Sequence, residues 1–242
     1  MSTKRIRGET MLALPFWRIT LAAAISVALS IWGARAECPA FTRSGVPRVV
    51  LPGRDPQLPK ALLTSTSQVP IWKTITVGEY KGVTAIRVAI DASPCPVRVG
   101  EAADEILGRP AFPYKQTRAQ LDLAVVPIAE LGFGENGASV RDIYARALGI
   151  GLELCPAEVG PTLRLNYLDQ PVGEFLDIAM HPIARYNGEL IDFTVGNGGA
   201  GLLLIGGDGR PDLVLPGAVR FVFVRPRPDQ LVSPPDGELA GR

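Results

Sequence analysis

The chain has 242 residues, with 25 Lys and Arg against 24 Asp and Glu, one histidine and three cysteines. No basic run is interleaved with aromatics, which argues against nucleic acid as a partner. One histidine, and cysteines as far apart as 38, 95 and 155, make no zinc-ligand pattern, and no metal or cofactor is expected.

The first segment reads as an export signal. Lys4, Arg5, Arg7 and Arg18 precede an uncharged stretch, Ile19 to Ala34, which closes on Ala34-Arg35-Ala36. A basic start, an apolar middle and a small-x-small end are the three parts of a cleavable signal. Cleavage near Ala36 would give a periplasmic or secreted protein, and the alternative is an N-terminal membrane anchor. Sixteen helical residues reach about 24 Å, short of the roughly 30 Å hydrocarbon core, which favours cleavage. Membrane contact is expected through this segment alone. Removing residues 1–36 leaves 20 basic against 23 acidic residues, a net charge of about −3. In an oxidising compartment one disulfide can form. The similar Pro-flanked settings of Cys95 and Cys155 favour that pair, with three buried apolar thiols as the alternative.

Residues 37–70 carry Pro39, Pro47, Pro52, Pro56, Pro59 and Pro70 without periodicity and read as an arm or linker. A single domain is expected over 71–225. Ile71 to Val77 alternates as a strand, Thr84 to Ala92 has helical spacing stopped by Pro94 and Pro96, and Glu101 to Leu107 is a second short helix. Leu121 to Ile128 is a buried strand. Ser139 caps a helix to Leu148, with Asp142 three residues on. Five strands follow, at Leu163–Leu168, Glu174–Met180, Glu189–Val195, Gly201–Ile205 and Arg220–Arg225, separated by turn signals such as Asn187-Gly188. The expectation is an α+β fold, an antiparallel meander in the C-terminal half packed against a few short helices. Residues 226–242, rich in Pro and poor in apolar residues, read as a disordered tail.

Strand alternation assigns Leu163, Leu165, Tyr167, Leu176, Ile178, Met180, Ile191, Phe193 and Val195 to the core. The opposite side carries Arg164, Asn166, Asp177, His181, Asp192 and Thr194. An antiparallel sheet ordinarily has one wet face, so this set reads either as plain surface or as a contact face.

The spacing Gly196-Asn197-Gly198-Gly199-Ala200-Gly201 matches a dinucleotide fingerprint, but Leu202 to Ile205 opens a strand where the fingerprint needs a helix. It reads as a hairpin turn. Gly206-Gly207-Asp208-Gly209 resembles a calcium loop, yet Pro211 stands where an acid is required, and stacked copies are lacking. His181 would have to serve any histidine-dependent catalysis, and Asp177 lies four residues away on the strand, roughly 13 Å. Glu158, Asp169, Glu174 and Asp177 are the remaining catalytic candidates, since two carboxyls flanking a bond can hydrolyse a glycoside.

Leu154-Cys155-Pro156, Glu158-Val159-Gly160-Pro161, Leu163-Arg164-Leu165 and Asp169-Gln170-Pro171 with Gly173-Glu174 lie within LELCPAEVGPTLRLNYLDQPVGEFLDIAMHPI. This stretch resembles the core of an uncharacterised family of bacterial proteins. The resemblance implies a bacterial source and supplies no activity. The sequence therefore leads to a non-enzymatic binding or accessory module of the cell envelope, taking an envelope protein or a small ligand on Arg164, Asn166, Asp177, Asp192 and Thr194. The alternative is a cell-envelope hydrolase using paired carboxylates.

Overall fold

A computed structural model describes residues 38, 62–115 and 117–227. The export segment, residues 37 and 39–61 of the 37–70 arm, and the tail beyond 227 lie outside the described residues. Ten strands form: β1 Lys73–Val77, β2 Val97–Val99, β3 Ala119–Pro127, β4 Ala138–Ser139, β5 Phe175–Ile178, β6 Ile183–Ala184, β7 Leu190–Asn197, β8 Leu202–Asp208, β9 Val214–Leu215 and β10 Arg220–Val224. Four helices accompany them: α1 Val83–Asp91, α2 Glu101–Leu107, α3 Val140–Gly149 and α4 Val159–Asn166. The fold is α+β. Among the described residues no helix is long and apolar enough to cross a membrane.

The main sheet runs β1-β3-β10-β5-β7-β8-β2, with β6 paired to β7, and β4 and β9 make a separate ribbon. The expected meander holds for β5, β7 and β8, which pair antiparallel. Two pairings break it. β10 enters between β3 and β5, parallel to β5, and β2 closes the far edge parallel to β8. Turn signals between neighbours in sequence could not reveal these partners, because both pairings cross long stretches of chain.

The expected strand at Leu163–Leu168 is instead the end of α4. Leu163, Leu165 and Tyr167 alternate, but Val159 and Leu163 also sit one helical turn apart, and residues 159–164 are all buried. Pro161 falls in the first turn, where a missing N–H costs nothing. Gly160 lets the helix lie directly on the sheet. A Cβ there would come within 2.6 Å of the Phe193 ring.

Alternation along β7 and β10 gives the sheet two faces. On one, Ile178, Phe193 and Val222 pack with Ile86 of α1, Ile106 of α2 and Leu163 of α4. On the other, Ala124, Val126, Phe221 and Phe223 pack with Ile143 and Ala147 of α3. Ser139 caps α3 as expected: its Oγ accepts the Asp142 N–H at 3.2 Å and donates to the Asp142 carboxylate at 2.6 Å. Residues 62–70, placed in the arm on composition, dock on this second face. Leu63 and Val69 are buried, and Arg146 and Arg225 donate to the Leu63 and Thr66 carbonyls. The main-chain carbonyls of a Pro-bounded segment thus serve as the acceptors that seat it.

The disulfide joins Cys38 to Cys95, with Cα atoms 5.4 Å apart, and Cys155 is free and buried. The expected Cys95–Cys155 pair is therefore not formed. Cys155 lies inside the core, its N–H donated to the Ala179 carbonyl and its thiol against the Val222 carbonyl, whereas Cys95 lies past the end of α1 beside β2. A bond spanning 57 residues of sequence removes loop entropy worth about 4 kcal/mol from the unfolded chain. Such bonds persist in oxidising compartments. Thiol titration of unreduced protein should find no reactive group when folded and one when unfolded. A peptide map linking Cys95 to Cys155 would overturn this pairing.

Candidate functional site

Asp177, Asp192 and Thr194 meet on the second face, beyond the part that α3 covers with apolar side chains. Register brings them together. Asp177 pairs with Thr194 across β5 and β7, and Asp192 is two residues back on the same side of β7. The Thr194 hydroxyl donates to the Asp177 carboxyl at 2.6 Å. Asp192 and Thr194 are 5% and 7% exposed, which is unusual for an acid outside an ion pair. On β8, Gly207 opposes Asp192, and a Cβ there would collide with the Asp192 carboxyl. The glycine doublet in β8 thus makes room for a carboxyl in a strand-packed setting.

Among the described residues neither Asp177 nor Asp192 has an ion-pair partner. Arg210, just past the end of β8, is engaged by Asp208 at 2.8 Å. Burial, and then the neighbouring Asp177, raise the Asp192 carboxyl to about 7, and the facing Gly207 N–H offsets part of this. Burial also raises Asp177, with the Thr194 hydroxyl working the other way. Tyr144 of α3 completes the set. Its hydroxyl accepts the Met180 N–H at 3.3 Å, and burial pushes its ionisation up, so it stays neutral. The charge on Asp177 and the burial of Asp192 both favour keeping Asp192 protonated below about pH 7.

The other sequence candidates are elsewhere. Arg164 is on α4, fully buried on the opposite side of the sheet, where it donates to the Gln170 side chain at 2.6 Å, the Gly196 carbonyl at 3.0 Å and the Tyr167 carbonyl. Gln170 passes the network on to the Val195 carbonyl, and Asn197 donates back to the Gln170 carbonyl. Asn166 is exposed and closes α4 by donating to the Thr162 carbonyl. Neither residue joins Asp177, Asp192 and Thr194.

The four carboxyls proposed for catalysis are likewise separated. Glu158 is fully buried and accepts the Gly78 and Lys115 N–H groups, pinning two loops. Glu174 holds the Tyr167 hydroxyl at 2.7 Å and Arg220 at 3.1 Å. Asp169 and His181 are exposed. Only Asp177 of that set lies in a carboxyl pair, and its neighbour is Asp192. Of the Gly196–Gly201 stretch, Gly196 and Asn197 are the end of β7, and Gly198 to Gly201 make the expected turn, with β8 starting at Leu202. Tyr144 is not among the sequence candidates, and Gly207 reads there only as part of a broken calcium loop. Glycines inside a strand were the available signal for the close approach at Gly207.

The pair should make stability depend on pH. An ordinary aspartate ionises near 3.8, and folded Asp192 near 7. Between those values the native state holds the extra proton, so stability falls as pH rises through the window, and the loss is complete above it. Asp192→Asn removes that loss. Relative to wild type it should gain about 2–4 kcal/mol between pH 4 and pH 8, measured by denaturant unfolding. A wild-type-to-variant difference that is the same at both pH values would contradict the burial argument.

Comparison of this chain with family models, with curated proteins and with solved structures returns no match.

Proposed function

We propose that this protein is a non-enzymatic binding module of the cell envelope, whose contact surface is the face bearing Asp177, Asp192 and Thr194. One observation carries the reading: the buried carboxyl of Asp192 neighbours the half-buried Asp177, with no ion-pair partner for either among the described residues. Such a pair weakens the fold, and local choices that conflict with stability concentrate at functional sites. A cationic group brought by a small ligand or an envelope protein supplies the missing charge.

The Cys38–Cys95 bond supports an oxidising environment. With the signal-like residues 1–36, it supports export to the periplasm and cleavage near Ala36. N-terminal sequencing of protein recovered from cells should begin at Glu37. A chain beginning at Met1 would make the segment an anchor.

Calorimetric titration at about pH 8, where the carboxyls ionise, tests the surface with a polyamine and with lysine-rich and arginine-rich peptides. Wild type should bind at least one, and Asp177→Asn/Asp192→Asn should lose about tenfold or more in affinity. No binding by wild type, or equal binding by both, ends this reading. The hydrolase reading has one observation in its favour, a carboxyl near 7 beside a second carboxyl, as general acid–base chemistry needs. A ligand consumed by wild type yet only bound by Asp192→Asn would favour it.

A further inference from the structure

Two elements outside the sheet meet the Asp177–Asp192 pair. From α3 comes Tyr144, tied to the end of β5 through the Met180 N–H. The segment 209–213 follows β8, with the Gly209 N–H donated to the Leu190 carbonyl at 2.8 Å and Gly209 close to Pro182 and to the backbone of Ile191 and Asp192. The segment and α3 are joined to each other: Val140 N–H donates to the Leu213 carbonyl and Arg141 N–H to the Pro211 carbonyl, both at 2.9 Å. The segment 209–213 therefore forms a cover beside the pair, tied to the first turn of α3 by those two bonds, while buried Val140 and Ile143 anchor that end of the helix. The carboxyl-terminal half of α3 is fixed separately, by buried Ala147 and by Arg146 donating to the Leu131 and Leu63 carbonyls.

We propose that the Asp177–Asp192 pair is a proton-operated latch on this cover, which stays seated while Asp192 holds its proton and loosens when both carboxyls are charged. As regulation of the contact surface, the latch rests on the binding reading above.

The physical argument is one of unpaired charge. With Asp192 protonated, the one negative charge of the pair rests on Asp177, which accepts the Thr194 hydroxyl. With Asp192 also ionised, two like charges stand on one face of β5 and β7, and among the described residues no side-chain cation pairs with either. Water is the available counterweight, and it enters where cover is held least firmly. The other groups facing the pair do not change charge in this range. Tyr144 stays neutral, as does the Cys155 thiol near it, which burial pushes up. Asp208 of β8 is held below the ordinary aspartate value by Arg210 and stays ionised. His181 is exposed next to Met180 and is kept in every variant below.

Amide hydrogen exchange reads the latch. Protection of the Met180, Val140 and Arg141 N–H groups, corrected for intrinsic rates, is measured at about pH 5.5 and about pH 8.5, on either side of the Asp192 transition. In wild type it should fall about tenfold or more at the higher pH. In Asp192→Asn it should stay level, while the Ala179 and Val224 N–H groups, which bond to Val222 and Glu153 carbonyls, should stay far better protected than the cover amides at both pH values. Unchanged wild-type protection overturns the proposal, as does the same fall in the variant. Protection of Met180, Val140 and Arg141 equal to that of Ala179 and Val224 at the higher pH also overturns it, because that marks global unfolding. Asp177→Asn removes the same charge and serves if Asp192→Asn does not fold. Opening without any cationic ligand bound would leave the latch standing and remove only the binding reading.

Discussion

The contact between Gly160 and Phe193 governs how the rest of the molecule is arranged. By admitting the Phe193 ring against its backbone, α4 comes close enough for Arg164 to reach carbonyls of β7, β8 and its own C-terminal turn. A buried guanidinium is costly unless its donors are spent. Burial pulls its ionisation down to about 10, still far above neutrality, so the charge is kept. The Gln170 side chain and the carbonyls of Gly196 and Tyr167 supply oxygens for it. Asn197 then locks the Gln170 loop to the start of the glycine hairpin. This network is a scaffold that sets the register of β7 against its neighbours.

That register decides which residues look the other way. Once Phe193 points at α4, Asp192 and Thr194 must point at the opposite face, and Asp177 joins them through its pairing with Thr194. The same face is dry and aromatic over β3 and β10, where Phe221 and Phe223 pack with Tyr144. Over β5, β7 and β8 it is acidic. Tyr144 stands at the border, with its ring on the aromatic half and its hydroxyl beside the carboxyls. A half-polar face under partial cover is neither a core nor an open surface, and that intermediate state raises the Asp192 carboxyl.

Much of the fold was legible because local signals and tertiary demands agreed. Ser139 and Asp142 announced α3, Gly108 ended α2, and Leu121 to Ile128 read as a buried strand since both its faces are covered. Residues 163–168 misled because Leu163, Leu165 and Tyr167 satisfy a two-residue period, while the helical period begins earlier, at Val159, across Gly160 and Pro161 that usually mark turns. Of the site, Asp177, Asp192 and Thr194 were legible from strand alternation. Arg164 and Asn166 were grouped with them only through the mistaken strand. The role of Tyr144 could not be read, since it depends on which sheet face α3 covers, a contact fixed by the insertion of β10 between β3 and β5.

The bond between Cys38 and Cys95 has a consequence for how the chain survives damage. It closes a covalent loop that contains the Pro-rich arm, β1 and α1. A protease that cuts once anywhere between those two cysteines leaves the pieces attached, and the severed ends can still return to their places. Outside a cell, where proteases act and no machinery replaces a lost fragment, such a loop turns a cleavage that would shed the first strand into a nick that the molecule can carry.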